Sequence, residues 1–135
     1  MSIAWLDICN AFGSVPHAVL NELWILPLKS IRIFRTAGVR QGDALSSPIF
    51  NMASEPLVRA GKSNINPGFL LFGLLVKTTA YADDIAAVTN SPSDLKTILN
   101  VFTLTANTLG LQFNAGKCAC LVFDKGTPSA ELVIN

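Results

Sequence analysis

The chain alternates short apolar runs with polar punctuation, and most runs carry one of the two periods that regular structure imposes. Ile3-Ala4-Trp5-Leu6-Asp7-Ile8 reads as a short buried strand ending at a carboxylate. Ser14-Val15-Pro16-His17 predicts a short helix after it, with Ser14 as cap and Pro16 in the first turn. Ile31-Arg32-Ile33 alternates as a strand with a basic face. A second helix is punctuated by Ser47 as cap, Pro48 at its first position and Gly61 past its end. After the loop Asn64-Ile65-Asn66-Pro67-Gly68, two apolar segments, 69–82 and 85–89, flank Asp83-Asp84 and predict a hairpin with the acids at its tip. A third helix opens at Ser91, with Asp94 three residues on, and Gly110 ends it. Leu95, Ile98, Leu99, Phe102, Ala106 and Leu109 form its apolar stripe. Leu111 to Asn114, a turn at Ala115-Gly116 and Cys118 to Phe123 predict a last hairpin. This order of elements is that of an α+β fold, an antiparallel sheet with helices packed on one face.

At 135 residues the chain is expected to form a single domain, 1–135. Half of it is hydrophobic, 14% is charged and the mean hydropathy is +0.46, a composition that excludes a disordered tail or a disulfide-stapled peptide. Ten basic against nine acidic side chains leave a net charge of +1, so total charge does not point to nucleic acid. The distribution is less even: residues 23–42 hold Lys29, Arg32, Arg35 and Arg40 and no acid. Such a segment suits either a solvated edge strand protected by charge or contact with phosphates. Cys9, Cys118 and Cys120, with His17 the lone histidine, supply no recognisable zinc set. They read as reduced core thiols of an intracellular protein. The longest apolar run, Phe69 to Val76, is far short of the roughly 20 residues that span a bilayer. No membrane partner is expected.

The acids carry the candidate chemistry. Asp83 and Asp84 sit between apolar residues, and like charges about 4 Å apart repel by about 4 kcal/mol at an effective dielectric of 20. A hairpin tip holding both must be solvated, protonated or bound to a cation. Asp7 is a third carboxylate at a strand end, and if the two strands are neighbours all three converge. Carboxylate oxygens without His or Cys suit Mg²⁺ or Mn²⁺, and a pair of such ions roughly 3.5–4 Å apart runs in-line phosphoryl transfer. Asp is also a common turn residue, and the 76 residues between Asp7 and Asp83 say nothing of proximity.

These residues also carry a resemblance. Tyr81-Ala82-Asp83-Asp84 resembles the Tyr-x-Asp-Asp box of reverse transcriptases. Leu6-Asp7-Ile8-Cys9-Asn10-Ala11-Phe12-Gly13-Ser14-Val15-Pro16-His17 resembles the first palm motif of LINE-type (non-LTR) retrotransposon enzymes. Ala37 through Asn51, reading AGVRQGDALSSPIFN, is similar to their second, and Gly110 through Cys118 to their fourth. Four motifs in the family's order form a specific set. The resemblance implies a polymerase palm that copies an RNA template onto a DNA primer from dNTPs, using two Mg²⁺ or Mn²⁺ ions. By position, Asp7, Asp83 and Asp84 match the metal-binding triad. Phe12 matches the bulky residue that excludes a 2′-hydroxyl, or is an ordinary core Phe. Arg40, Gln41 and Gly42 match the loop against which template and incoming nucleotide lie. Lys117 matches a lysine that protonates the leaving pyrophosphate, or is an exposed turn lysine.

The chain departs from the family in length. Only residues 18 to 37 join the first two motifs, and neither fingers nor thumb is expected within it. It is therefore expected to be a palm fragment with little activity alone. The competing readings are an inactive retroelement remnant and a group II intron or retron enzyme, although Asn10-Ala11-Phe12 and Ser14-Val15-Pro16-His17 favour the LINE type. The family suggests a nuclear location, for which no basic targeting cluster speaks.

Overall fold

In the computed structural model, the described residues are 1–16, 18–19, 38, 42, 44, 46–63 and 68–133. Strand β1 (Ser2–Asp7) is followed by a single helical turn α1 (Ala11–Ser14) and the long helix α2 (Ser46–Lys62). A two-stranded hairpin, β2 (Phe69–Leu71) and β3 (Leu74–Val76), precedes β4 (Thr78–Tyr81) and β5 (Asp84–Thr89). Helix α3 (Pro92–Leu109), a 3₁₀ turn (Ala115–Lys117), β6 (Ala119–Asp124) and β7 (Thr127–Val133) complete the order.

The main sheet runs β4-β5-β1-β6-β7, with every neighbour antiparallel. β1 holds the centre, paired on both sides. Its alternation sends Ser2, Ala4 and Leu6 to one face, where Ile85, Ala87 and Cys120 join them in the core. α3 packs on that face against β5 and β1, and α2 packs beside it against α3 and β4. The expected class, an antiparallel sheet with helices on one face, is the one observed.

α3 follows its punctuation residue by residue. Ser91 Oγ accepts the Asp94 N–H at 3.2 Å, Pro92 opens the helix, and Gly110 closes it in the left-handed region at φ 69°. Leu95, Ile98, Phe102 and Ala106 are buried, with Leu99 and Leu109 packed at the margin of the core.

Elsewhere the structure corrects the expectations. The helix predicted to open at Ser14 ends there: Asn10 takes a left-handed backbone (φ 47°) and starts the turn early. Val15 is then extended, as a residue before proline prefers. α2 begins at Ser46, so Ser47 lies inside it, and it runs through Gly61 to Lys62. Gly61 is there for packing rather than termination. A Cβ on it would stand 2.6 Å from Phe102 Cζ and 2.6 Å from Thr78 Oγ1, so only glycine lets α2 approach both α3 and β4. The single segment expected over 69–82 breaks into three strands. Phe72 and Gly73 both have positive φ and make the tight turn between β2 and β3. The expected last hairpin is also different. Residues 112–114 lie along the end of β1, and β6 pairs instead with β7 through a Lys125-Gly126 turn. The basic strand at 31–33 lies outside the described residues.

Two of the three cysteines are core thiols, as expected; Cys9, just beyond β1, is exposed. Burial, and then the neighbouring Cys118, push the Cys120 thiol above its ordinary value of 9.0. The native protein should therefore present one fast-reacting thiol to a disulfide reagent and the denatured protein three. The raised value has a second consequence. Stability from the neutral Cys120 is complete below about pH 9 and is lost as pH rises further, because the unfolded thiol ionises first. A urea midpoint that falls above pH 9, and falls less in Cys120→Ala, checks it.

Candidate active site

The face of the sheet away from the helices carries the acids. Asp7, at the end of β1, is registered directly against Asp84, the first residue of β5. The Ile8 N–H donates to the Asp83 carbonyl at 3.1 Å, outside the Asp7–Asp84 pair. That pattern makes the pair a non-hydrogen-bonded one, the kind in which Cα atoms approach to about 4.5 Å and side chains lie closest. Tyr81, 85% exposed, continues the row on β4.

Asp83 is the second residue of the β4–β5 turn, behind Ala82, which has φ 53°. The predicted hairpin thus exists, but only Asp83 is in its turn, while Asp84 belongs to the strand. Two carboxylates, those of Asp7 and Asp84, are brought into register. Among the described residues no three acidic, histidine or cysteine side chains gather closely enough to hold a metal ion. The convergence of three carboxylates is therefore not seen, because consecutive residues at a strand start cannot both face Asp7. A left-handed Ala costs roughly 1–2 kcal/mol, so Ala82→Gly is expected to raise stability by about 0.5–1 kcal/mol after the entropy of the unfolded glycine is counted. A thermal melt reads this, and a fall in Tm would contradict the turn geometry.

The other side of β1 supplies a cation. The Asn114 N–H donates to the Asp7 carbonyl at 2.8 Å, the Cys9 N–H to the Gln112 carbonyl at 2.8 Å, and Ile8 bridges Phe113. These bonds fix the chain entering the 3₁₀ turn, whose last residue is Lys117. Its Nζ reaches Asp7 Oδ1 at 3.4 Å; the Asp7 side chain is 14% exposed and the lysine 66%. A long ion pair whose lysine is mostly in solvent contributes little to stability, about 0–1 kcal/mol. What it does is place one positive charge beside two negative ones, at the rim of an open depression of about 360 Å³. Trp5, Asp7, Thr79, Tyr81, Asp84 and Lys117 line it.

The remaining sequence candidates are more scattered. Phe12 is half-buried and its ring packs on Phe50 of α2, centroids 5.2 Å apart at 42°, so core packing is the contact it makes. Gly42 is exposed with φ 87°, a conformation open to glycine. Arg40 and Gln41 lie outside the described residues. Trp5 was not singled out from the sequence, although the strand period places it on the face of Asp7, two residues away.

The donors fit a hard divalent cation. Mg²⁺ binds through one or two carboxylates and keeps waters or substrate phosphates for its other positions, and a close carboxylate pair on an open face offers that.

Comparison with known proteins agrees with the four motifs. The reverse transcriptase (RNA-dependent DNA polymerase) family matches residues 2–129. The Retrovirus-related Pol polyprotein from the type-1 retrotransposable element R2 of Bradysia coprophila is 36% identical over 141 residues, covering 87% of this chain and 16% of its own length. The corresponding polyprotein from the type-2 retrotransposable element R2DM of Drosophila melanogaster is 30% identical over 97 residues, 72% of this chain and 9% of its own. That of the Nasonia vitripennis R2 element is 28% identical over 144 residues, with 88% and 14% covered. The chain thus spans less than a fifth of the length of the curated relatives it matches. With nearly its whole length matched, and with the relatives all non-LTR retrotransposon polyproteins, the chain belongs to the reverse transcriptase family.

Proposed function

We propose that the chain is the catalytic palm of an RNA-directed DNA polymerase of a non-LTR retrotransposon, joining dNTPs to a primer 3′-hydroxyl on an RNA template. The observation that supports it best is the register of Asp7 against Asp84 with Lys117 3.4 Å from Asp7. Reverse transcriptases use divalent metal ions. Here Asp7 and Asp84, with Asp83 in the adjoining turn, would hold them. Held there, a divalent ion would lower the pKa of the primer hydroxyl and stabilise charge developing on the transferred phosphate.

The chain's own residues do the rest. The bonds from Ile8 to Asp83 and from Asn114 to Asp7 fix both sides of β1, so the carboxylates are held before substrate arrives. Lys117, whose Nζ lies 3.4 Å from Asp7 Oδ1, would give a proton to the leaving pyrophosphate. By the motif they match, Arg40, Gln41 and Gly42 would meet template and incoming nucleotide. A basic segment in that region fits the phosphate-contact reading of residues 23–42.

Primer extension tests the reading. The 135-residue chain is incubated with micromolar RNA template–DNA primer, dNTPs and Mn²⁺, at concentrations chosen for weak grip. Expected is addition of at least one templated nucleotide, dependent on Mn²⁺ and on the matching dNTP. Template–primer that binds but gains no nucleotide would favour the inactive remnant.

A further inference from the structure

Two rows of side chains cross the open face of the sheet. One is Tyr81, Asp84, Asp7; the next, one pleat along, is Thr79, Ala86, Trp5, Ala119. Trp5 therefore stands between two alanines. Neither Ala86 nor Ala119 has an atom beyond Cβ to cover the indole, and Trp5 is 45% exposed in the middle of the central strand. A large aromatic ring at the centre of a sheet is ordinarily shielded by its cross-strand neighbours. Here the neighbours are small and the ring borders the same depression as the two carboxylates and Lys117.

We propose that Trp5 is a stacking platform for a nucleobase, that of the strand whose 3′-hydroxyl lies at Asp7 and Asp84. The inference rests on the nucleotidyl-transfer reading of those carboxylates. Two residues along a strand span about 6.7 Å. That is about the reach of a nucleoside from its 3′-hydroxyl to its base, so a sugar at Asp7 sets its base over Trp5. Every base has a π face, so such a platform holds the terminal nucleotide without reading its identity, as a copying enzyme requires. The flanking Thr79 hydroxyl lies on the exposed β4 edge of the same row and offers a polar neighbour to the base edge. Stacking is uncharged, so it gives a hold on the strand beside two carboxylates that would otherwise repel its phosphates.

The test uses the 135-residue chain and fluorescein-labelled single-stranded oligodeoxynucleotide, (dT)₁₂, followed by anisotropy, with no catalysis needed. Trp5→Ala is expected to weaken binding about tenfold, by the same factor at low and high salt, and Trp5→Phe to restore most of it. In Trp24→Phe, which leaves Trp5 as the one tryptophan, saturating oligonucleotide is expected to quench the indole emission. A thermal melt of each variant separates folding from binding. Unchanged affinity in a folded Trp5→Ala, or no quenching at saturation, overturns the proposal. So does an emission maximum that shifts with protein concentration alone, because then a second copy covers the ring. Loss of primer extension in Asp7→Asn with quenching retained leaves the platform standing. Quenching with no extension by any form of the chain supports the platform and rejects the polymerase reading, so the two fail separately.

Discussion

Asp7→Asn is expected to reduce nucleotide addition at least ~10²–10³-fold, the scale on which removing one preorganised electrostatic group slows an enzyme. The same substitution should leave the melting temperature within a few degrees of the parent. Asn keeps the shape of Asp, and two electrostatic effects oppose each other. The ion pair with Lys117 is lost, but its lysine is two-thirds exposed and the 3.4 Å pair contributes little. Repulsion between Asp7 and its registered neighbour Asp84 is relieved, and on this open face that gain is small as well. Activity and stability therefore separate at this residue. A variant that loses both would mark Asp7 as a structural strand end, and one that loses neither would remove it from the chemistry.

Phe102→Ala is expected to cost about 3–5 kcal/mol, the largest effect on stability. Phe102 is fully buried in α3, and the edge of its ring lies over Gly61 of α2. Without the ring, α2 and α3 lose the contact at Gly61 and a cavity opens beneath the sheet beside Leu6, the neighbour of Asp7. Domains hold together by about 5–15 kcal/mol, so this loss is a large share of the total. Urea denaturation reads it as a lower midpoint with an unchanged slope. A loss under 1 kcal/mol would mean that the helices do not pack through Gly61 and Phe102.

What could be read in the sequence was local. Ser91, Asp94 and Gly110 delimit α3 because a cap needs only neighbours within one turn, and its stripe follows from the helical period alone. The class of fold followed from element order. The misreadings share a different cause: they depend on partners distant in sequence. Gly61 has the composition of a helix end, yet it is glycine because Phe102 and Thr78 press against it. Phe72 is not a turn residue by type, so the break in 69–82 carries only the weak signal of Gly73. Residues 112–114 look like half of a hairpin but have a better partner in the end of β1.

The site shows the same division. The acids and Lys117 were identifiable by residue type and by likeness to the family's motifs. Their arrangement was not, since Asp7 and Asp84 meet only through the register of β1 on β5, and a shift of one residue would turn one of them to the core. That register also separates Asp84 from Asp83, adjacent in sequence but placed in a strand and a turn. Trp5 went unnoticed because a tryptophan in an apolar run resembles core. Only the two alanines beside it leave it open.

The most direct measurement locates the divalent ion on the chain. Fe²⁺ with ascorbate and peroxide, in place of Mg²⁺, releases hydroxyl radicals that cut the backbone beside the bound ion. Expected are cuts near Asp7 and across residues 82–84, suppressed by excess Mg²⁺ and absent in Asp7→Asn and in the double variant Asp83→Asn/Asp84→Asn. Cuts elsewhere, or cuts at these positions that persist in both variants, would contradict a cation held between β1 and the β4–β5 turn.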